Sequence, residues 1–144
     1  MAREAHLNVL LAANRFADEA ERVCREEGSS HAQYVALWVL CLDGDADHGI
    51  PVGAIADGLL NRASDTTRLV ARLERAGFAE RVVDPEDRRR VLVRATPAGR
   101  ERFEAMTRRL RAYHRTQWAE LDEGELETLS ALLLKALWGS EPPG

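Results

Sequence analysis

Apolar side chains recur every three or four positions from Arg3 to about Glu26. Val9, Ala13, Phe16, Ala20 and Val23 form one row, and Leu10, Ala17 and Cys24 an adjacent one. That spacing predicts a single long helix over about 3–26, with Gly28 as its stop. The stripe is wider than a surface helix needs, so it predicts burial on more than one side. Core packing within one chain and a helix from a second chain would both satisfy it. Ser30-His31-Ala32-Gln33 has the form of a capping box, in which each terminal residue bonds the other's amide. The helix it opens, about 31–42, carries Tyr34, Val35, Leu37, Trp38 and Cys41. The polar run Asp43 to His48 is a loop. Pro51 suits the first turn of a helix, and Val52, Ile55, Ala56, Leu59 and Leu60 predict a short amphipathic one of about ten residues.

A turn at Asn61-Arg62-Ala63 leads to a helix over about 64–76, with Thr66, Leu69, Val70 and Leu73 facing inward. Ser64, Asp65, Thr67, Arg68, Arg72 and Arg75 are left for solvent or a partner. Ala76-Gly77-Phe78 fits a left-handed glycine cap. Two short helices joined by a tight turn, the second basic on its outer face, make a helix-turn-helix candidate. Ala79–Val83 and Val91–Ala95 are rich in β-branched residues and predict two strands. Between them lies the polar turn Asp84-Pro85-Glu86-Asp87-Arg88-Arg89-Arg90. A hairpin tipped with arginine directly after a recognition helix is a wing, and arginine suits the negative potential of a narrow minor groove. Strand alternation cannot aim all three arginines the same way.

Thr96-Pro97 then predicts a helix start, threonine as cap and proline in the first turn, running to about Glu120. Asp122-Glu123-Gly124-Glu125 is a second capping box. It opens a last helix, to about 138, with Leu126, Leu129, Leu132, Leu133, Ala136 and Leu137 on one side. The fold class expected is mainly α with a small β-hairpin. A winged helix-turn-helix core over about 31–96 is joined to dimerisation helices over about 3–26 and 97–138, all in one domain.

Charge at first argues against a nucleic-acid partner, because the 144 residues carry a net −4. Its distribution points the other way. Residues 61–115 hold 15 arginines against 8 acids, a local +7, and the remainder balances at −11. A duplex responds to the face it meets, since salt screens charge beyond about 10 Å. No apolar run approaches the ~18 residues of a membrane span, and the N-terminus lacks a signal pattern. A cytoplasmic protein with no membrane partner is expected. No metal-ligand spacing, phosphate-binding glycine loop or nucleophile elbow is present. No carboxylate pairs with a histidine at useful spacing. No cofactor and no enzymatic activity are therefore expected.

The block Thr66-Thr67-Arg68-Leu69-Val70-Ala71-Arg72-Leu73-Glu74-Arg75-Ala76-Gly77-Phe78-Ala79-Glu80-Arg81 resembles the recognition helix and first strand of the multiple antibiotic resistance regulator (MarR) family of bacterial transcription factors. The wing sequence Asp84 to Arg90, followed by Thr96-Pro97-Ala98-Gly99-Arg100, is similar to that family's wing and the entry to its fifth helix. The length and element order of the whole chain fit as well. One departure is Ala95-Thr96 where the family usually has Leu-Thr. The resemblance implies a homodimer with the first and last helices of the subunits interlocked. It also implies a pseudo-palindromic double-stranded DNA operator, and release by a small phenolic ligand or an oxidant. Ser64, Asp65, Thr67 and Arg68 match the family's major-groove positions, and Arg72 lies one turn further on the same face. Asp87 and Arg89 match its wing motif, flanked by Arg88 and Arg90; the aspartate orients the wing and the arginine reaches the minor groove.

Each candidate has a plain structural alternative. Asp65 could accept from a cytosine amino group or simply favour the positive helix N-terminus. Arg75 lies near a helix C-terminus, where support of the cap and dipole is its expected work. Tyr34 and Trp38, one turn apart, are either core or the wall of a ligand pocket. Cys24 and Cys41 behave as small buried hydrophobes, unless Arg22 and Arg25 activate an exposed Cys24 for redox sensing. The function expected is a sequence-specific DNA-binding transcriptional regulator, a repressor released by a small aromatic ligand. The alternatives are an oxidant-sensing regulator using Cys24 or Cys41, and a winged-helix module that binds another protein.

Overall fold

The computed structural model describes residues 1–42, 47–59 and 65–139. The elements are α1 (Ala2–Glu26), α2 (His31–Leu42), α3 (Val52–Gly58), α4 (Thr66–Arg75), β1 (Ala79–Val83), β2 (Val91–Ala95), α5 (Pro97–Gln117) and α6 (Glu123–Trp138). The chain divides into a unit of residues 1–110 and a unit of residues 111–144, with the boundary inside α5.

Local chemistry sets most of the boundaries. At the start of α2, Ser30 Oγ accepts from the Gln33 amide at 3.1 Å and Gln33 Oε1 from the Ser30 amide at 2.9 Å. Asp122 and Glu125 form the same reciprocal box at the start of α6. Such a cap stabilises a helix by about 1 kcal/mol. Some expected boundaries need correction. The helix α3 is seven residues long and ends at Gly58, with Leu59 already extended at φ −78°, ψ 129°; a glycine is a poor helix former and stops it early. Pro51 is the residue before that helix, at ψ 149°. The recognition helix begins at Thr66 because Asp65, at φ −141°, is its cap. The last helical residue of α5 is Gln117, short of the expected Glu120. The expected turn at 61–63 and residues Leu60 and Ser64 lie outside the described residues, as do 43–46 and 140–144.

The unit 1–110 is built around Leu37 and Leu40 of α2, Ile55 of α3, Val70 and Leu73 of α4, Val93 of β2 and Met106 of α5, all fully buried. β1 and β2 pair antiparallel from Ala79↔Ala95 to Val83↔Val91. Ile50 adds a fragment of third strand, exchanging both backbone bonds with Val93 at 2.8 Å.

The end of α4 is tied to the start of α5. Gly77 adopts φ +75° and the Phe78 amide returns to the Leu73 carbonyl at 2.9 Å, the left-handed cap expected from the sequence. Thr96 Oγ1 donates to the Gly77 carbonyl at 2.6 Å and accepts from the Gly99 amide at 3.0 Å. The Thr96 amide donates to the Phe78 carbonyl at 3.0 Å. Arg102 lies over the Phe78 ring, 5.0 Å from its centroid, and donates to the Glu27 carbonyl.

Two surfaces stay apolar and exposed. On α1 these are Leu7, Val9, Leu10 and Leu11. On α6 no residue is buried, and Leu132, Leu133, Leu134, Leu137 and Trp138 all face outward.

A side chain at position 99 would overlap the Phe78 carbonyl. Because backbone cannot yield as a flexible side chain can, Gly99→Ala should destabilise the protein by about 1–3 kcal/mol. Position 53, inside α3, faces open space, so Gly53→Ala should be neutral or stabilise by roughly 0.4–1 kcal/mol. Urea midpoints measured at constant slope test the pair, and equal midpoints for the two variants would contradict the packing described.

Candidate nucleic-acid interface

Turning Leu69, Val70 and Leu73 inward leaves Thr67, Arg68, Arg72 and Arg75 exposed along α4. Asp65 caps this helix. Its Oδ1 accepts from the Arg68 amide at 3.3 Å, and its Oδ2 lies 3.1 Å from Arg68 Nε. The structural role of Asp65 is therefore realised, and it also holds Arg68 near the helix start. That ion pair is exposed and costs little to release. Arg75 Nε instead donates to the Ala71 carbonyl at 3.4 Å, the supporting work expected of it. Ser64 lies outside the described residues.

The wing is a cross-braced turn. The side chain of Asp84, buried at its base, accepts from the Glu86 amide at 2.9 Å, while its own amide donates to the Arg90 carbonyl at 3.0 Å. The Arg90 amide donates to the Asp87 carbonyl at 2.8 Å. Asp87 Oδ1 accepts from the Arg89 amide at 3.0 Å and lies 3.5 Å from Arg89 Nε. The three arginines then differ. Arg90 leans to the base, 3.9 Å from Asp84 Oδ2. Arg89 is 94% exposed and steered by Asp87. Arg88 is exposed.

Sequence reasoning missed what joins these two surfaces. Arg81 Nε on β1 donates to both oxygens of Glu74 in the last turn of α4, at 3.0 and 3.1 Å. Across the hairpin, Arg94 Nε donates to Glu80 Oε1 at 2.7 Å, and its Nη1 to the Asp47 carbonyl at 3.2 Å. Arg100 Nη2 donates to Asp47 Oδ1 at 3.1 Å. Recognition helix, wing and the segment before α3 are braced by charge as well as by backbone. The only signal was the glycine reversal at Gly77, which brings β1 back beside α4.

Trp38, 48% exposed, lines a groove of 560 Å³ between α2 and α3 with Val39, Leu42, Ala54, Asp57 and Gly58. Tyr34 is not among those residues. Its ring stacks on Phe103 at 5.6 Å, and its hydroxyl lies 3.3 Å from Thr107 Oγ1. Among the described residues no cluster of three metal-ligating side chains occurs, and no helix is long and apolar enough to cross a membrane.

Comparison with known proteins gives a consistent result. A family model described as MarR family matches residues 28–90. The transcriptional activatory protein BadR of Rhodopseudomonas palustris is 30% identical over 126 residues, which are 87% of this chain and 71% of BadR. Two solved structures share the fold. A DNA complex of S. aureus MepR superposes with a TM-score of 0.76 at 23% identity, covering 92% of this chain and 94% of MepR. Bordetella bronchiseptica BpsR, whose DNA binding is regulated by 6-hydroxynicotinic acid, superposes at 0.79 and 23% identity over 93% of this chain and 92% of BpsR.

The cysteines lack the setting that an activated thiolate needs. Cys24 is wholly buried, and burial pushes its thiol up to about 11, with Glu21 acting in the same direction. Arg25 and Arg22, which could have lowered it, are paired with Glu21 at 3.0 Å and Glu26 at 2.9 Å. At Cys41 burial also raises the thiol, opposed by Arg100 and reinforced by Glu104. An unfolded Cys24 ionises near its ordinary 9.0 while the folded one stays protonated to about 11. Rising pH through that window therefore favours the unfolded chain. Stability should fall between those values, and the slope should flatten in Cys24→Ala. At pH 7 a disulfide reagent should label Cys24 only as fast as the protein opens; immediate labelling of the folded protein would show a reactive thiol instead.

Proposed function

The chain belongs to the MarR family of transcriptional regulators, and from that membership and the geometry of its basic face we propose that it binds a pseudo-palindromic operator in double-stranded DNA as a homodimer. The observation that carries this is the outward presentation of Arg68 and Arg89 on two elements braced together through Glu74 and Arg81. Thr67, Arg68 and Arg72 face the major groove, with Ser64 and Asp65 at the entry of the helix. Arg68 reads a base edge, because a guanidinium can bridge O6 and N7 of guanine. Asp87 aims Arg89 into the minor groove, with Arg88 and Arg90 beside it supplying phosphate contacts.

The exposed leucines of α1 and α6 support the homodimer. Surfaces this apolar are rarely left open by a soluble monomer, and a two-fold interface would bury each against a second copy. The protein acts as a repressor where its operator overlaps a promoter. BadR is an activatory protein, and the same DNA contacts serve either outcome. The reading has no catalytic step and no cofactor, and it places the regulator in the cytoplasm.

The groove beside Trp38 supports an aromatic effector. It falls within the ~300–1,000 Å³ typical of ligand sites. Asp57 favours a phenolic hydroxyl, which it can accept, over a carboxylate, which it would repel. A ligand releases DNA only by binding the DNA-incompetent conformation better, and wedging α3 away from α2 would misplace the helix pair that holds α4. Phenols titrated against operator binding should quench Trp38 and weaken the complex together. Quenching with unchanged DNA affinity would leave a ligand without a regulatory role.

Selection from a random duplex library tests the interface. The wild-type protein should recover a two-fold repeated motif, whereas a single unrepeated half-site would refute the dimer. Arg68→Ala should cost ~1–3 kcal/mol and relax one position in each half-site. Arg89→Ala should weaken many sequences together, reduce the salt slope by about one per subunit if a phosphate contact is lost, and keep the motif. Asp87→Ala should mimic it. A changed motif in Arg89→Ala with an unchanged one in Arg68→Ala would invert the assignment.

A further inference from the structure

The stem of the wing ends in an apolar pair left open to solvent. Val83 and Val91 are cross-strand partners in the last rung before the turn, and they are 60% and 46% exposed. Other apolar positions of the two strands are treated differently. Ala79, Leu92, Val93 and Ala95 are buried and Val82 is half-buried. Immediately beyond the pair, the Asp84 amide bonds the Arg90 carbonyl and closes the turn that holds Arg88 and Arg89.

Register fixes which way the pair faces. Side chains alternate along a strand, so Val83 shares a face with Arg81, two positions back, and Val91 shares it with Val93. Arg81 is the residue that reaches Glu74 in the last turn of α4. Val83 and Val91 therefore stand on the α4 side of the hairpin, about 7 Å beyond that brace toward the tip. Exposed hydrocarbon thus lies between the basic face of α4 and the basic end of the wing.

Dimensions decide what meets it. Paired strands lie ~4.8 Å apart before side chains are added, and the minor groove is about 6 Å wide. A single arginine enters such a slot, and a two-stranded stem does not. With Arg89 in the groove the stem is stopped at its lip, where the wall between major and minor grooves is a sugar–phosphate strand. The phosphates of that strand suit the arginines. Its deoxyribose rings are its apolar part, and valine covers them without leaving a polar group unpaired. Strand propensity alone does not require the hydrocarbon, because threonine is β-branched as well.

We propose that Val83 and Val91 pack on the deoxyribose rings of the strand bordering the minor groove, an uncharged and sequence-independent contact that seats the wing. The proposal rests on the DNA-binding reading above and adds a contact that none of its arginines supplies.

The variant Val83→Thr/Val91→Thr tests it, since it keeps shape and strand propensity while putting hydroxyls in place of two methyl groups. Both positions are exposed in the free protein, so the urea midpoint should stay at the wild-type value. Operator affinity should fall about tenfold, unrelated duplexes should lose by a similar factor, and the selected motif should not change. The slope of log affinity against log salt should also be unchanged, because no phosphate contact is lost. Hydroxyl-radical footprinting, which attacks deoxyribose hydrogens, gives a second measurement. At saturating protein the sugars beside each wing should be protected by the wild type and opened in Val83→Ala/Val91→Ala, with protection under α4 retained. If the wild type binds its operator and the threonine variant binds equally well, the proposal is overturned and the DNA-binding reading stands. A loss accompanied by a lower salt slope, an altered motif or a lower urea midpoint would overturn it too. A wild-type protein that selects no duplex would overturn both. If the threonine variant changed the molar mass in light scattering, the pair would be a contact between copies of the protein and the proposal would fall.

Discussion

The joint between Gly77–Phe78 and Thr96–Gly99 is the constraint on which the DNA-binding geometry rests. One threonine hydroxyl donates to the last turn of the recognition-helix cap and accepts from the first turn of α5. The Phe78 carbonyl takes the Thr96 amide and presses against Gly99. Both ends of the hairpin therefore leave from one hydrogen-bonded point, and the direction of α4 and the direction of the wing cannot vary independently. Only glycine fits on either side of this joint, for two reasons. Gly77 needs a left-handed backbone, and Gly99 needs the space that a Cβ would fill.

The salt bridges refine that geometry. Isolated exposed pairs contribute little, with a median of about 0–1 kcal/mol. Glu74–Arg81 and Glu80–Arg94 act on elements whose separation the backbone has already fixed, so little entropy is lost in forming them. Their effect is on angle more than on stability. The proposed reading, α4 in the major groove and the hairpin in the minor groove, requires the two to be held in register. A brace between them is chemically inexpensive compared with enlarging a small core.

What the sequence revealed and what it concealed divide along the same physical line. Short-range chemistry was visible: the capping boxes at Ser30 and Asp122, the glycine cap at Gly77, and the hairpin flanked by β-branched strands. Each depends on residues within about four positions. The Asp-x-Arg pattern of the wing was visible too, because Asp87 reaches Arg89 through its own local turn. Contacts made across space were not. Nothing in the spacing of Glu74 and Arg81 announces a clamp, and nothing near Asp47 announces one arginine from β2 and another from α5. Periodicity placed Tyr34 and Trp38 one turn apart but could not name their neighbours, Phe103 and Thr107 for one and α3 for the other. The length of α3 was overestimated because apolar spacing continued through Leu59 while Gly58 had already ended the helix.

A net-negative chain that binds a polyanion must separate the arginines that hold the fold from those that meet the ligand. Arg81, Arg94, Arg100, Arg102 and Arg109 are each matched to a carboxylate or carbonyl. Where the partner is a carboxylate, as for Arg81, Arg94, Arg100 and Arg109, it cancels most of the outward field within a few ångströms; Arg102 keeps its charge but is held inward against Phe78. Arg72, Arg88 and Arg89 lie on the face of α4 and the wing tip, and among the described residues only Arg89 of these three leans on an acid, an exposed one. The local +7 of residues 61–115 thus overstates the field a duplex meets, and the −4 of the whole chain understates it. The acids that make the total negative lie mainly in α1 and around α6, where they serve caps and helix faces. With a screening length near 10 Å at 0.1 M salt, charge on those helices weighs on DNA binding only where it comes within about that distance of a phosphate. Under the proposed contacts affinity rests on a few unneutralised guanidinium groups, so single substitutions among them should alter the salt dependence as well as the strength of binding.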